Sequence, residues 1–275
     1  MDNLPRLAWE PVTPWGVAAF SRAKVGRLLI FQLIVALVAC ASVLWLLNNG
    51  YFPTVSKALE KLPDKGEIRS GKLDWLGEPR QLLAENRLSA FNVDLEHSGQ
   101  LRVPAHFQFE FGAETLRVYS SLNFFTDVPY SEGWIFAFNR SELVPKWGAW
   151  RLPILVLTAI AVMIWLMLTW TILATVYAVP VWLYGFYINR ELTLRGSWKL
   201  AGAALMPGAL VMAATFLLYD FGLFDLLTLT VIMGAHILLG WIYLGVSPLF
   251  LPRHPTEAGR KRNPFVSSKP DQAGH

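Results

Sequence analysis

The densest group of side chains able to do chemistry lies at 94–110, where Asp94, Glu96, His97, His106 and Glu110 fall close together. Carboxylates beside imidazoles are the ingredients of acid–base catalysis or of a transition-metal site. Asp94 and Glu96 are two residues apart, so on a strand they share one face, opposite Phe91, Val93 and Leu95. No His-to-acid spacing here matches a metal motif, and the chain lacks G-x-S-x-G, H-E-x-x-H, a Walker loop and C-x-x-C. The pattern therefore predicts the solvated face of a strand, with no catalytic residue, metal ligand or cofactor assigned. A membrane enzyme using Asp94, Glu96, His97 and His106 is the alternative this patch leaves open.

A second candidate sits in apolar sequence. His236 lies within a run free of Asp, Glu, Lys and Arg, and an ionisable group inside a membrane is a functional hypothesis by default. At 1.5 Å per helical residue it lies about 16 Å beyond Asp225, which rules out a direct dyad with Asp225 or Asp220. The same depth on the preceding apolar run brings Gly208, next to Pro207. Pro207 removes a backbone donor and frees the carbonyl of Ala203, to which a neutral His236 could donate. Alternatively, Pro207 and Gly208 mark the unwound helix of a transport site, with His236 as its ionisable group.

These residues must be positioned by two kinds of sequence. The 275 residues are 54% hydrophobic and only 16% charged, below the roughly 25% of an average soluble domain. Four windows, 28–56, 152–189, 200–219 and 226–252, contain no Asp, Glu, Lys or Arg. Each is long enough for the ~20 residues a helix needs to cross hydrocarbon. We expect transmembrane helices at 28–47, about 153–176, 200–219 and 226–251, the last three forming one region over 152–251. The window 152–189 could instead hold a tight hairpin. Leu37, Val38, Ala39 and Cys40 match a lipoprotein cleavage pattern, but the apolar run continues beyond Cys40, which favours an uncleaved anchor.

Charge sets the orientation. Arg22, Lys24 and Arg27 precede the first run, Arg190, Arg195 and Lys199 crowd the loop before the third, and 220–225 holds two acids and no base. The positive-inside rule then places segment 1–27, the loop near 190–199 and the tail 252–275 in the cytoplasm, and 48–151 outside. The tail is rich in Pro, Ser, Gly and charge and reads as disordered. The net charge of +4 is largely this flanking charge, so nucleic acid is not expected as a partner. The location implied is the bacterial inner (plasma) membrane, multi-pass, with both termini cytoplasmic.

The stretch 48–151 is long enough to fold alone. Val55, Leu59 and Leu62 at helical spacing after Pro53 predict a short helix, and Ser70-Gly71 between two short runs predicts a hairpin. Phe91, Val93 and Leu95, then Phe107, Phe109 and Phe111, alternate with polar residues as half-buried strands do; Leu116 with Val118, and 134–138, add two more. The expected fold is an α-helical membrane protein with four transmembrane helices and a small extracytoplasmic α+β domain built on an antiparallel sheet. Gly202, Ala204, Gly208, Ala209 and Ala213 on the third run and Gly234, Gly240 and Gly245 on the fourth predict closely packed helices.

One anchor, then a domain opening with Leu62-Pro63 and Gly66-Glu67-Ile68-Arg69-Ser70-Gly71-Lys72-Leu73, then closing spans, resembles a bacterial membrane family of unassigned function. That family is associated with maltodextrin utilisation and grouped with the Yip family of polytopic membrane proteins. The chain departs from it in having four spans and a Trp-rich second span. The resemblance implies a non-enzymatic integral membrane protein, accessory to envelope or transport machinery. The sequence thus points to an accessory or partner-binding subunit that contacts lipid and a protein partner through its exported domain, with the Phe-rich strands and loop 123–130 as the surface. The alternatives are a transporter or channel component using Pro207, Gly208 and His236, and the membrane enzyme above.

Overall fold

The computed structural model describes residues 12–121 and 124–253. The tail from 254 onward, residues 1–11 of the amino-terminal segment and Asn123 of the loop 123–130 lie outside the described residues. In chain order, helices α1 (Pro14–Ala19), α2 (Val25–Leu46) and α3 (Phe52–Glu60) precede eight strands. These are β1 (Gly66–Arg69), β2 (Lys72–Trp75), β3 (Arg80–Glu85), β4 (Ser89–Asp94), β5 (Phe107–Phe111), β6 (Thr115–Ser120), β7 (Phe125–Pro129) and β8 (Ile135–Ala137). Helices α4 (Arg140–Tyr187), α5 (Leu194–Ala204), α6 (Met206–Asp220) and α7 (Leu226–Val246) follow.

Four helical stretches are long and apolar enough to cross a membrane: Val25–Glu60, Arg140–Tyr187, Leu194–Asp220 and Leu226–Phe250. The first runs through a wide π turn at Leu47–Tyr51 into α3, where Pro53 fits because the first helical turn needs no N–H from it. Helix α4 begins where the Asn139 side chain accepts the Glu142 N–H at 3.0 Å. It continues through Pro153 and Pro180 for 48 residues, so 152–189 forms no hairpin. Its most apolar window is not buried by the rest of the chain. The third stretch breaks at Leu205, between α5 and α6, just ahead of Pro207.

The chain divides into two compact units, one of Met1–Val35, Met167–Val211 and Met233–His275, the other of Ala36–Leu166 and Met212–Ile232. In the first, Thr13 caps α1 by accepting the Gly16 N–H, and Val17, Ala18 and Phe20 are buried with Leu28, Ala174, Leu200 and Ala204. The amino-terminal segment is therefore partly core. Arg22 pairs with Glu191 at 2.6 Å, Lys199 Nζ donates to the Ala23 carbonyl at 2.7 Å, and the Glu191 N–H donates to the Pro252 carbonyl at 2.9 Å. The segments before α2, between α4 and α5 and after α7 thus share one unit.

The second unit holds two sheets, ordered β2-β1-β8 and β3-β4-β5-β6-β7. Ser70 and Gly71, both at positive φ, turn β1 into β2. All pairs are antiparallel except β4 and β5, which run parallel, so the larger sheet is mixed rather than antiparallel as expected. A parallel pair cannot be joined by a tight turn and needs a crossover, here residues 95–106. Leu83, Val93, Phe91, Phe111 and Leu116 pack with Ala58 of α3 and Leu62 just beyond it, with Ile68 and Leu73 of the smaller sheet, and with Phe138, which follows β8. In the same unit Cys40 is buried, its thiol 3.7 Å from the Ala159 carbonyl.

Candidate functional site

The acidic and imidazole patch is not a solvated face. Asp94 and Glu110 are both 0% exposed, and Asn92 and Gln108 are buried beside them. The polar residues of β4 and β5 occupy the face opposite the apolar core, and the crossover folds over that face. A turn at His97, whose φ is +53°, aims its imidazole back at the sheet. Nδ1 lies 2.7 Å from Glu110 Oε1 and Nε2 2.8 Å from Thr115 Oγ1. Asn92 Nδ2 donates to Glu110 Oε2 at 3.2 Å, and Gln108 Nε2 donates to Asn92 Oδ1 and to the Leu101 carbonyl, each at 2.9 Å. Ser98 donates to Asp94 Oδ2 at 2.6 Å. Gly112 is required under the ring, because a Cβ there would come 2.2 Å from His97 Nε2.

The alternation of charge and Phe was legible, but not the cover on the polar face. Burying an unpaired charge is costly, and the Glu110 carboxylate has hydrogen-bond partners on both oxygens, while Asp94 Oδ1 has no hydrogen-bond partner and only the Arg80 guanidinium nearby, at 3.9 Å; the network fixes the crossover to the sheet. Glu96 remains exposed and bonds Arg80 at 3.1 Å. Among the described residues no group of three or more His, Cys, Asp or Glu is placed to hold a metal. His97 and Glu110 are spent on each other, which gives them a scaffolding geometry rather than an open acid–base pair.

The same crossover delivers His106 to a second site. Its Nε2 lies 2.6 Å from the Tyr219 hydroxyl, with the rings stacked 5.5 Å apart. Arg87, in the β3–β4 turn, sits 4.2 Å over the Tyr219 ring and donates to the Tyr219 carbonyl at the end of α6 and to the Phe224 carbonyl in the turn after it. A cation is favourable there because the last helical carbonyls lack intrahelical partners. Burial, then the positive charge of Arg87, holds the His106 pKa below its ordinary value, so the ring is neutral at pH 7. Asp225 caps α7 by accepting the Thr228 N–H at 2.8 Å, and Thr228 holds its carboxylate below the usual range. These groups line an open cavity of about 650 Å³ with Ser121, Gly222, Leu223 and Thr228. Arg87 and Tyr219 carry no sequence signal; only a helix end and a turn brought together in space define them.

The candidates from the apolar runs fall elsewhere. Pro207 and Gly208 are buried and His236 is half-buried. A Cβ on Gly208 would stand 2.7 Å from the His236 carbonyl, so α6 and α7 touch through backbone at this point. The imidazole does not reach Ala203 as expected: its Nδ1 bonds the Met233 carbonyl on its own helix, while the Leu205 N–H meets Ala203. Gly202 serves a different contact, lying against Leu28, Gln32 and Ala174, and a Cβ on Gly234 or Gly245 would meet nothing within 4 Å among the described residues.

A third surface is apolar. β7 is one of the two outer strands of the larger sheet and is exposed along its length; Phe124 and Val128 are exposed, as is Phe125, over whose ring the Arg117 guanidinium lies at 4.8 Å. Arg117 holds Asp127 by two bonds, at 2.6 and 2.9 Å, and keeps its carboxyl below the usual range.

Compared with known proteins, the chain matches no protein-family model, no curated sequence and no solved structure.

Proposed function

We propose that this chain is a four-span integral membrane protein, non-enzymatic, whose exported domain binds a partner protein by accepting an extended strand along β7. The β7 edge, with Phe124, Phe125 and Val128 exposed, is the observation that carries this reading. A sheet edge presents unpaired backbone donors and acceptors with which an extended strand can pair. The membrane assignment and the bacterial inner-membrane location, with both termini inside, draw support from the positive-inside pattern. They also draw support from the way the segments before α2, between α4 and α5 and after α7 share one unit while the 220–225 turn lies in the unit of 48–151. The Yip-like layout is compatible with an accessory role and rests on the residues quoted for it.

The transporter reading uses Pro207, Gly208 and His236. Close backbone contact between Gly208 and His236 favours a packing role for them. The test is purification of the full chain from its host membrane in mild detergent, with Val128→Lys and Phe125→Glu as paired variants. A stoichiometric protein that copurifies with the wild type and is lost from both variants, at unchanged thermal stability, is the expected result. Copurification that survives both substitutions would overturn the β7 assignment.

A further inference from the structure

The cavity between Arg87 and Asp225 presents opposite charges that do not neutralise each other. Both line the same 650 Å³ space, within the ~300–1,000 Å³ typical of small-molecule sites, yet the Arg87 guanidinium bonds the Tyr219 and Phe224 carbonyls and the Asp225 carboxylate accepts the Thr228 N–H. Of the five N–H donors of a guanidinium, Arg87 directs two to the Tyr219 and Phe224 carbonyls, which leaves three. Asp225 is ionised at neutral pH, and the neutral His106 lines the same space together with Ser121 and Thr228, which carry hydroxyls. The site therefore matches a molecule with an anionic group at one end and a cationic donor at the other.

The surroundings select the kind of molecule. Phe221, Leu223 and Leu227, on the turn and helix start beside the cavity, are bare. Trp45 donates to Asp220 at 2.9 Å with its ring against Phe221, the amphipathic placement that suits a headgroup region. A quaternary ammonium has no N–H to give Asp225 and is held instead by aromatic faces. Here the Tyr219 face is already covered by Arg87. A purely anionic headgroup would leave Asp225 facing like charge.

We propose that this cavity binds the phosphoethanolamine headgroup of a membrane lipid, with the phosphate toward Arg87 and the ammonium toward Asp225. The proposal rests on the membrane reading above. The same chemistry could come from a soluble phosphoethanolamine ester, so the source is part of the test.

The full chain is purified in mild detergent and given an equimolar mixture of phosphatidylethanolamine, phosphatidylcholine and phosphatidylglycerol, and bound lipid is counted by native mass spectrometry. Wild type is expected to retain phosphatidylethanolamine about tenfold over either competitor, the scale of one charge-assisted hydrogen bond. Asp225→Asn keeps an α7 cap, since Asn caps as well as Asp, and is expected to abolish the preference over phosphatidylcholine at unchanged thermal stability. Arg87→Gln is expected to lower retention of all three. Equal retention of the three lipids by wild type, or an undiminished preference in Asp225→Asn, would overturn the proposal. Displacement of the lipid by an equal concentration of glycerophosphoethanolamine would overturn the lipid as source and leave the soluble ester. Release of the chain from native membranes by alkaline carbonate would instead overturn the membrane reading, independently of any headgroup preference.

Discussion

The two compact units offer different hydrogen-bond partners to several of their polar side chains. In the unit of helices, polar side chains turn to backbone carbonyls: Gln32 to Gly202, Lys199 to Ala23, Arg190 to Leu251 and Tyr243 to Val12. Small residues let the helices come close enough for this. In the unit holding the sheets, side chains pair with one another, as His97, Glu110, Asn92 and Gln108 do beneath the crossover. Helices carry their own backbone bonds and have only ends and isolated side chains to settle. A sheet covered by an irregular crossover must supply partners from side chains, because the crossover has no regular ladder of its own.

This contrast is open to direct attack. The largest effect is expected from Glu110→Ala, which strands the His97 ring and the Asn92 amide in a dry site and should cost about 3–5 kcal/mol of unfolding free energy. Urea unfolding of the full chain in detergent measures it; a loss under about 1 kcal/mol would mean the network does not hold the crossover. In the helical unit, Gly208→Leu forces α6 from the His236 carbonyl and should cost about 1–3 kcal/mol, while Gly234→Leu, with nothing near, should change stability by no more than about 0.5 kcal/mol. Reversible denaturation in SDS separates them, and equal effects would remove the case for close backbone packing at Gly208.

Two smaller effects sharpen the picture within the second unit. His106 resists protonation when folded, so its contribution is present above its ordinary value of 6.5 and is lost as pH falls from there through the depressed folded value. Wild type should lose thermal stability over that window and His106→Gln should lose less; parallel curves would show that the ring titrates freely. Asp127 is lowered by Arg117, so its contribution is present at neutral pH and lost as pH falls below the ordinary carboxylate range. The pair is largely solvent-screened, and Asp127→Asn should cost no more than about 1 kcal/mol at pH 7, read from thermal unfolding at low and high salt.

Local pattern announced what local physics decides. The apolar windows, the Pro53 helix and the Ser70-Gly71 hairpin all have their cause within a few residues. β3 was hidden because a bulge between Leu82 and Ala84 breaks its alternation. β7 was hidden because Asp127 and Pro129 read as turn residues, although an edge strand tolerates both. The parallel pairing of β4 with β5 has no local mark, since a crossover containing Ser98, Gly99 and Pro104 looks like any loop. That missed pairing led directly to the wrong environment for Asp94 and Glu110. The cavity was illegible for a related reason: Arg87 and Tyr219 meet only after the chain has folded.

Cys40 gives the molecule a built-in reporter. It is the single thiol in the chain, it lies buried, and it faces the Ala159 carbonyl. A maleimide can reach it only when the contact between α2 and α4 opens. The labelling rate therefore counts those openings in the unaltered protein, one helix contact at a time. With no second thiol competing, a cysteine introduced at β7 or beside the Arg87 cavity could be tracked against that slow internal clock.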